Sequence, residues 1–491
     1  MASYDTAFTS FQAQYPAYKK TSYLDRLRSE DYSRIDDQDH VYLDYTGGSL
    51  YGASQVREHL EFLNTHILGN PHSNNPSSQR MTDYVERTRD AILDFFSAPQ
   101  EEYTAIFTQN ASGALKLVGE AYPFGEDSRY ILPYDNHNSV NGIREFARSR
   151  GAEIQYIPVT MPDLTLDHRK MRAAFDTLKK GFHHLVAYPA QSNFSGVQHS
   201  FEWIEKAHAN GADVLLDAAA FVPTNHLNLS KIHPDFVAIS FYKMFGYPTG
   251  VGCLIARRDT LHKLRRPWFA GGTITLASVQ AMEHRLAENE AGFEDGTINY
   301  LNIPAVETGL HHLQSISMDT IHNRVKCLTD WLLKTLLEMR HTNGNPLVRI
   351  YGPVTTANRG GTVSFNLYDP EGTLIDFRRV EELANKENIS LRTGCFCNPG
   401  VNEIAEELTA EEMSAGFSKT PDFDYPHFLS LLEHQQGKSA GAVRVSTGIV
   451  SNFRDVYRFT GFIESFLNQS SQKIGQVKFD IRTCRRLRDG S

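Results

Sequence analysis

The chain has 491 residues, 41% of them hydrophobic, with 49 Lys and Arg against 58 Asp and Glu and a formal net charge of -9. That length buries a core large enough for a major and a minor domain and excludes a peptide-sized binding module. The acidic balance argues against a nucleic-acid protein, and the polar, aromatic stretch from Met1 to Lys20 lacks the basic-flanked apolar core of a signal peptide or membrane anchor. Small-molecule chemistry in the cytoplasm, with no membrane partner, is the expectation.

Residues 1–40 read as an N-terminal arm. From 41 to 318, short apolar or β-branched runs alternate with helical patterns, which predicts an α/β large domain built on a mostly parallel sheet. The predicted strands are Thr104–Thr108, Tyr130–Pro133, Ile154–Pro158, His184–Tyr188, Asp213–Asp217, Phe236–Ser240 and Gly252–Ala256. A smaller α+β domain is expected over 319–470. It begins with an amphipathic helix in which Val325, Leu328, Leu332 and Leu336 recur at helical spacing. Strands near Leu347–Tyr351, Gly361–Asn366 and Val443–Thr447 follow, and a helix over Phe453–Leu467 closes the domain with Val456, Phe459, Ile463 and Phe466 on one face. Residues 403–437, acidic and carrying Pro421 and Pro426, read as an insertion outside the core. Residues 471–491 form a basic tail with Lys473, Lys478, Arg482, Arg485, Arg486 and Arg488, best read as solvated.

Two apolar runs end on chemistry-bearing residues. Val214-Leu215-Leu216 leads into Asp217, and Val237-Ala238-Ile239-Ser240 leads into Phe241-Tyr242-Lys243. In a parallel sheet both ends fall at the carboxyl edge, where open α/β sheets bind ligands. Pyridoxal 5′-phosphate (PLP) needs such a pair, an amine for the Schiff base and an acid that keeps the pyridine nitrogen protonated. Taken singly, a loop lysine and a turn-capping aspartate are equally ordinary at strand ends. Other parts lie in the right order. Thr104–Thr108 gives way to Asn110-Ala111-Ser112-Gly113, a helix start whose backbone N–H groups suit a phosphate. Ser240 and Tyr242 offer hydroxyl donors, and His137, after the strand at Tyr130–Pro133, is placed to stack on a flat ring.

The five cysteines are too sparse for a disulfide framework, and Cys253, Cys327 and Cys484 are isolated. Cys395 and Cys397 stand together in Arg392-Thr393-Gly394-Cys395-Phe396-Cys397-Asn398-Pro399-Gly400. Buried thiols, a strained local disulfide or half of a metal site are the ordinary readings of such a pair. No second Cys pair or spaced His pair completes a metal site. Gly394 and the Asn398-Pro399-Gly400 turn suggest instead an exposed loop with a reachable thiol.

Together with Gly246-Tyr247-Pro248-Thr249-Gly250, the longer matches Gly69-Asn70-Pro71-His72-Ser73, Tyr188-Pro189-Ala190-Gln191-Ser192-Asn193-Phe194-Ser195-Gly196 and Phe293-Glu294-Asp295-Gly296-Thr297 resemble class V aminotransferase-like enzymes of the cysteine desulfurase group. Among these the chain is most similar to the desulfurase domain of molybdenum cofactor sulfurases, over about Tyr42 to Leu467. The resemblance implies a PLP-dependent transferase of fold type I that converts L-cysteine to alanine, with the sulfur held as a persulfide on Cys397 and passed to a sulfur-acceptor protein. It implies Lys243 as the Schiff-base lysine, Asp217 at the pyridine nitrogen, His137 stacked on the ring and Asn193 near the phenolic oxygen. Ala111, Ser112, Ser240 and Tyr242 fall near the phosphate. It further implies a homodimer in which Gly271-Gly272-Thr273 adds a phosphate contact from the other subunit, and Arg444, assisted by Arg392, as the clamp for the substrate carboxylate.

The sequence departs from that pattern in two places. Gly400-Val401-Asn402 stands where the family has Gly-Ala-Cys, and the family's further C-terminal acceptor domain has no visible counterpart. Two other readings follow. One is a PLP-dependent decarboxylase, C–S lyase or carbon–carbon bond-forming enzyme of a specialised pathway. The other is a scaffold that retains only the fold, which has no need of Lys243, Asp217 and His137 together.

Overall fold

The computed structural model describes residues 3–71, 73–418, 438–475, 477, 479–480 and 485–486. His72, Pro421, Pro426, Lys478, Arg482, Cys484 and Arg488 lie outside the described residues, as does most of the expected acidic insertion.

Seven strands form the central sheet: β1 (Tyr103–Thr108), β2 (Arg129–Pro133), β3 (Glu153–Ile157), β4 (His184–Pro189), β5 (Ala212–Asp217), β6 (Phe236–Ser240) and β7 (Gly252–Arg257). Their spatial order is β1-β7-β6-β5-β4-β2-β3. The pairs β2–β3, β2–β4, β4–β5 and β5–β6 are parallel, and β7 runs against both β6 and β1. Every strand from β4 to β6 is buried along its length. Successive side chains serve opposite faces, so a continuous apolar run is what a sheet covered on both sides requires. Val214, Leu216, Val237 and Ile239 join one core, while Leu215, Phe236, Ala238 and Leu254 join the other.

A second sheet holds β8 (Val348–Tyr351), β9 (Thr362–Leu367), β10 (Arg392–Gly394) and β11 (Ala442–Ser446) in the order β8-β9-β11-β10, all antiparallel. Val363, Phe365 and Leu367 point into a core with Leu332 and Leu336 of helix Met318–Glu338 and with Phe459 and Ile463 of helix Phe453–Glu464. On the other face of β9, Ser364 Oγ donates to the Phe194 carbonyl (2.6 Å) and ties this sheet to the loop after β4.

Three stretches differ from expectation. Residues 4–37 form four helices. Phe11 and Tyr18 from them pack with Leu328, Phe453 and Val456. The start of the expected acidic insertion is ordered core. Glu403 belongs to helix Pro399–Ala405, where Val401 and Ala405 are buried beside Tyr351, and Ala410–Ser418 is a further helix. A hairpin of Ile274–Ser278 and Glu283–Leu286 carries Leu276, Val279 and Met282 at 66, 94 and 90% exposure. No helix among the described residues is long and apolar enough to cross a membrane.

The N-terminal helices are held by charge as well as packing. Arg28 Nη1 meets Asp455 Oδ2 at 2.6 Å and the Val450 carbonyl at 2.9 Å, and Asp455 is fully enclosed. Arg28→Ala leaves that carboxylate buried without its cation, and the expected loss is about 3–5 kcal/mol of stability. A lowered urea midpoint at unchanged slope is the measurement.

Candidate active site

A cavity of about 160 Å³ opens at the carboxyl edge of the central sheet. It is lined by Asn110, Ala111 and Ser112 after β1, His137 after β2, Gln191 and Asn193 after β4, Asp217 ending β5, and Ser240, Tyr242 and Lys243 at the end of β6. Each strand delivers a residue there because parallel strands end on one edge. Gly252 on β7 allows the approach of the β1 turn: a Cβ there would lie 2.6 Å from Asn110 Cα.

Asn110 caps helix Ala111–Ala121 through its side-chain oxygen and the Gly113 N–H, and Ser240 Oγ accepts from the Ala111 N–H at 2.9 Å. The Ser112 and Ser139 hydroxyls meet at 2.6 Å. The result is a hydroxyl-rich helix start suited to a phosphate. Lys243 sits on the single turn Phe241–Phe245 that follows β6. Burial lowers its amine below the ordinary lysine range, the Asp217 carboxylate opposes that shift, and Arg444 and Arg392 reinforce it. Asp217 Oδ1 accepts from the Ala219 N–H (3.0 Å). His137 is likewise pushed down by burial, against the pull of Asp217. Its Nδ1 accepts from the Ser139 N–H (3.1 Å), which assigns the neutral ring's proton to Nε2.

Arg444, on β11, is 3% exposed. Nη2 reaches Asp44 Oδ1 (3.0 Å), Nη1 donates to the Asn193 carbonyl (2.9 Å), and Nε has no partner. Burial brings its guanidinium down to about 10, with Asp44 opposing. A buried, incompletely partnered guanidinium is a strong recognition element for a carboxylate. Arg392 is half exposed and its Nε and Nη2 both bind Asp44, the shorter contact at 2.6 Å. Asp44 thus braces both arginines, and Gly47 leaves space for that cluster, since a Cβ there would fall 2.6 Å from Arg392 Nη2.

The cysteine loop closes over this group. The Asn138 N–H donates to the Cys397 carbonyl (2.7 Å), Asn193 Nδ2 to the Phe396 carbonyl (2.7 Å), and Phe396 lies under the Arg444 guanidinium at 4.6 Å. The Cys397 side chain is exposed and close enough to Lys243 and Arg444 to act on both charges, whereas burial pushes the Cys395 thiol up. Thr273 does not join the cavity within one chain. It is buried in its own turn, its hydroxyl bonded to Ala270. Asp44, Asp135 and Gln191 are site or supporting residues that the motif reading passed over. Asp44 was accessible as an acid followed by Gly47-Gly48 just after a short strand.

A lysine amine kept short of its usual basicity, an acid opposite it and a hydroxyl-rich helix start form a donor set that fits PLP. The architecture is that of a cysteine desulfurase from Thermococcus onnurineus NA1, with a TM-score of 0.73 at 24% identity over 90% of this chain and 98% of that one. The same fold is shared with a C-DES mutant that carries glycine covalently linked to the PLP cofactor, at a TM-score of 0.64 and 16% identity over 87% of this chain and 97% of that one. The chain belongs to the aminotransferase class V family, whose model matches residues 41–459. A molybdenum cofactor sulfurase of Solanum lycopersicum is 37% identical over 478 residues, 90% of this chain and 57% of that protein. The chain spans little more than half the length of the curated relatives it matches.

Proposed function

We propose that this chain is a PLP-dependent L-cysteine desulfurase that takes up sulfur on Cys397. The observation that carries the reading is the docking of the Cys397 loop on Asn138, Asn193 and Arg444, within electrostatic reach of Lys243. Lys243 would hold the cofactor covalently, Asp217 its ring nitrogen, His137 its ring face, and Ala111, Ser112, Ser240 and Tyr242 its phosphate. When bound, PLP supplies an electron sink for bonds at the amino acid's α-carbon. The protein's own part is to orient and to move protons. Arg444 binds the α-carboxylate, with Asp44 and Arg392 fixing its plane. The Lys243 amine, held below its usual basicity by burial, is the group placed to exchange a proton with the substrate. The Cys397 thiolate attacks the substrate sulfur as the C–S bond breaks, so L-cysteine and the thiol become L-alanine and the Cys397 persulfide, with no external oxidant or reductant. Reductant or an acceptor protein then removes the sulfur.

A homodimer is part of the proposal. Thr273 precedes a hairpin whose apolar tip is open to solvent, and such surface is normally covered. A cytoplasmic setting is likewise part of the proposal.

The test is incubation of purified, yellow protein with L-cysteine and a thiol reductant. Stoichiometric alanine and sulfide support the reading; pyruvate and ammonia would assign a C–S lyase instead. Arg444→Lys is expected to raise KM for cysteine about 10²-fold, the loss of charge-assisted contacts worth about 3 kcal/mol, while the visible absorption of the bound cofactor is unchanged.

A further inference from the structure

We infer that Asp135 and Asn398 are positioning residues that hold the Cys397 loop in its working place, an inference that rests on the function proposed above. Asp135 has no exposed surface and lies two residues before His137. Its Oδ1 accepts from Ser192 Oγ (2.7 Å) and from Asn398 Nδ2 (2.7 Å), and its Oδ2 from His199 Nε2 (2.9 Å). Asn398 follows Cys397 directly, is 1% exposed, and donates also to Asn193 Oδ1 (3.0 Å). One buried carboxylate therefore gathers the three loops that carry His137, Asn193 and Cys397.

The loop needs such a hold. Gly394, Phe396 and Cys397 all have positive φ, at 108, 54 and 55°, and side-chain-bearing residues do not keep that backbone unless their surroundings enforce it. The Phe396 ring packs under Arg444 and the Asn398 N–H donates to the Cys395 carbonyl (2.9 Å), and three contacts tie the loop to its surroundings: Asn193 on the Phe396 carbonyl, Asn138 on the Cys397 carbonyl, and Asn398 on Asp135. The Asn398 amide has one workable orientation. Rotated by half a turn, its oxygen would face the Asp135 carboxylate. Asn193 uses both ends of its amide on this loop, so the loop and the cavity wall move together.

Asn398→Asp preserves shape and sets carboxylate against carboxylate. In the holoenzyme we expect kcat for alanine formation to fall about tenfold or more, with KM for cysteine and the visible absorption of the cofactor little changed. Hydrogen exchange in the peptide containing Asn138 and in that containing Cys397 should quicken by a similar factor. The exchange arm needs no turnover, so it tests the loop even if the parent forms no alanine. The charge-swapped pair Asp135→Asn with Asn398→Asp should recover part of both losses. Asn398→Ser, smaller and uncharged, should show the same split between kcat and KM and covers the case in which the charged variant does not fold. Parental kcat and exchange in these variants, or loss of cofactor absorption in proportion to kcat, would overturn the inference.

Discussion

Lys243→Ala is expected to lose the protein-linked imine, so that borohydride no longer fixes PLP to the chain, and to lower desulfuration by about 10³-fold or more, the range lost when a group that moves a proton in the reaction is removed. The lysine stands at the end of a wholly buried strand, on one turn of helix, with Asp217 across the cavity and two arginines nearby. Among the residues lining the cavity it is the one amine, able both to carry the cofactor and to exchange a proton. Unfolding does not explain the loss, because alanine on this turn removes a desolvated amine. The sign of that effect is itself testable in protein stripped of cofactor. The folded-state pKa of Lys243 is lowered, so the unfolded chain binds more protons between the folded value and about 10.5. Stability from this group accordingly rises with pH through that window and is diminished below it. Parent and variant melting curves should converge as the pH approaches 10.5, with the variant the more stable at neutral pH. A variant in which borohydride still fixes PLP to the chain, or a parent whose stability relative to the variant falls with rising pH, contradicts the assignment.

The central sheet was legible because its strands are unbroken apolar runs. β6 coincides with the predicted Phe236–Ser240, and most of the other strands differ by one residue at an end. Lys243, Asp217 and His137 followed, since a parallel sheet delivers the residue after each run to one edge. The braces were not legible. Asp44 meets Arg392 across 348 positions, and Asp135 meets Asn398 across 263, so neither leaves a periodic or local trace. The helices of residues 4–37 were missed for a related reason. Two of them are single turns, and they persist through Phe11 and Tyr18 buried against Leu328 and Phe453, not through an amphipathic pattern of their own. The ordered start of the acidic segment is similar. Glu406 looks like solvated charge in sequence, yet it is buried against Asn366 Nδ2 (3.0 Å), and burial pushes its carboxyl up to about 8.

Cys397→Ser should separate cofactor chemistry from sulfur uptake more cleanly than any other substitution. The expected product is a yellow protein that binds L-cysteine, shown by a change in its visible spectrum, but forms alanine at least about 10³-fold more slowly, as losses of an enzyme nucleophile do. Cys395→Ser should retain activity within a few fold. The two thiols are separated by one residue but not by one environment. Cys397 is exposed and within electrostatic reach of Lys243 and Arg444, whereas burial pushes the Cys395 thiol up. The loop's backbone makes the distinction: positive φ at Phe396 turns its ring inward under Arg444 and leaves the next side chain facing outward. Mass spectrometry after a single turnover without reductant should find an added 32 Da, the mass of one sulfur atom, on the Cys397 peptide of the parent and of Cys395→Ser, and none in Cys397→Ser. Sulfur on Cys395 instead, or unimpaired alanine formation by Cys397→Ser, would move the nucleophile or replace it with a lyase mechanism, while leaving the assignment of Lys243 standing.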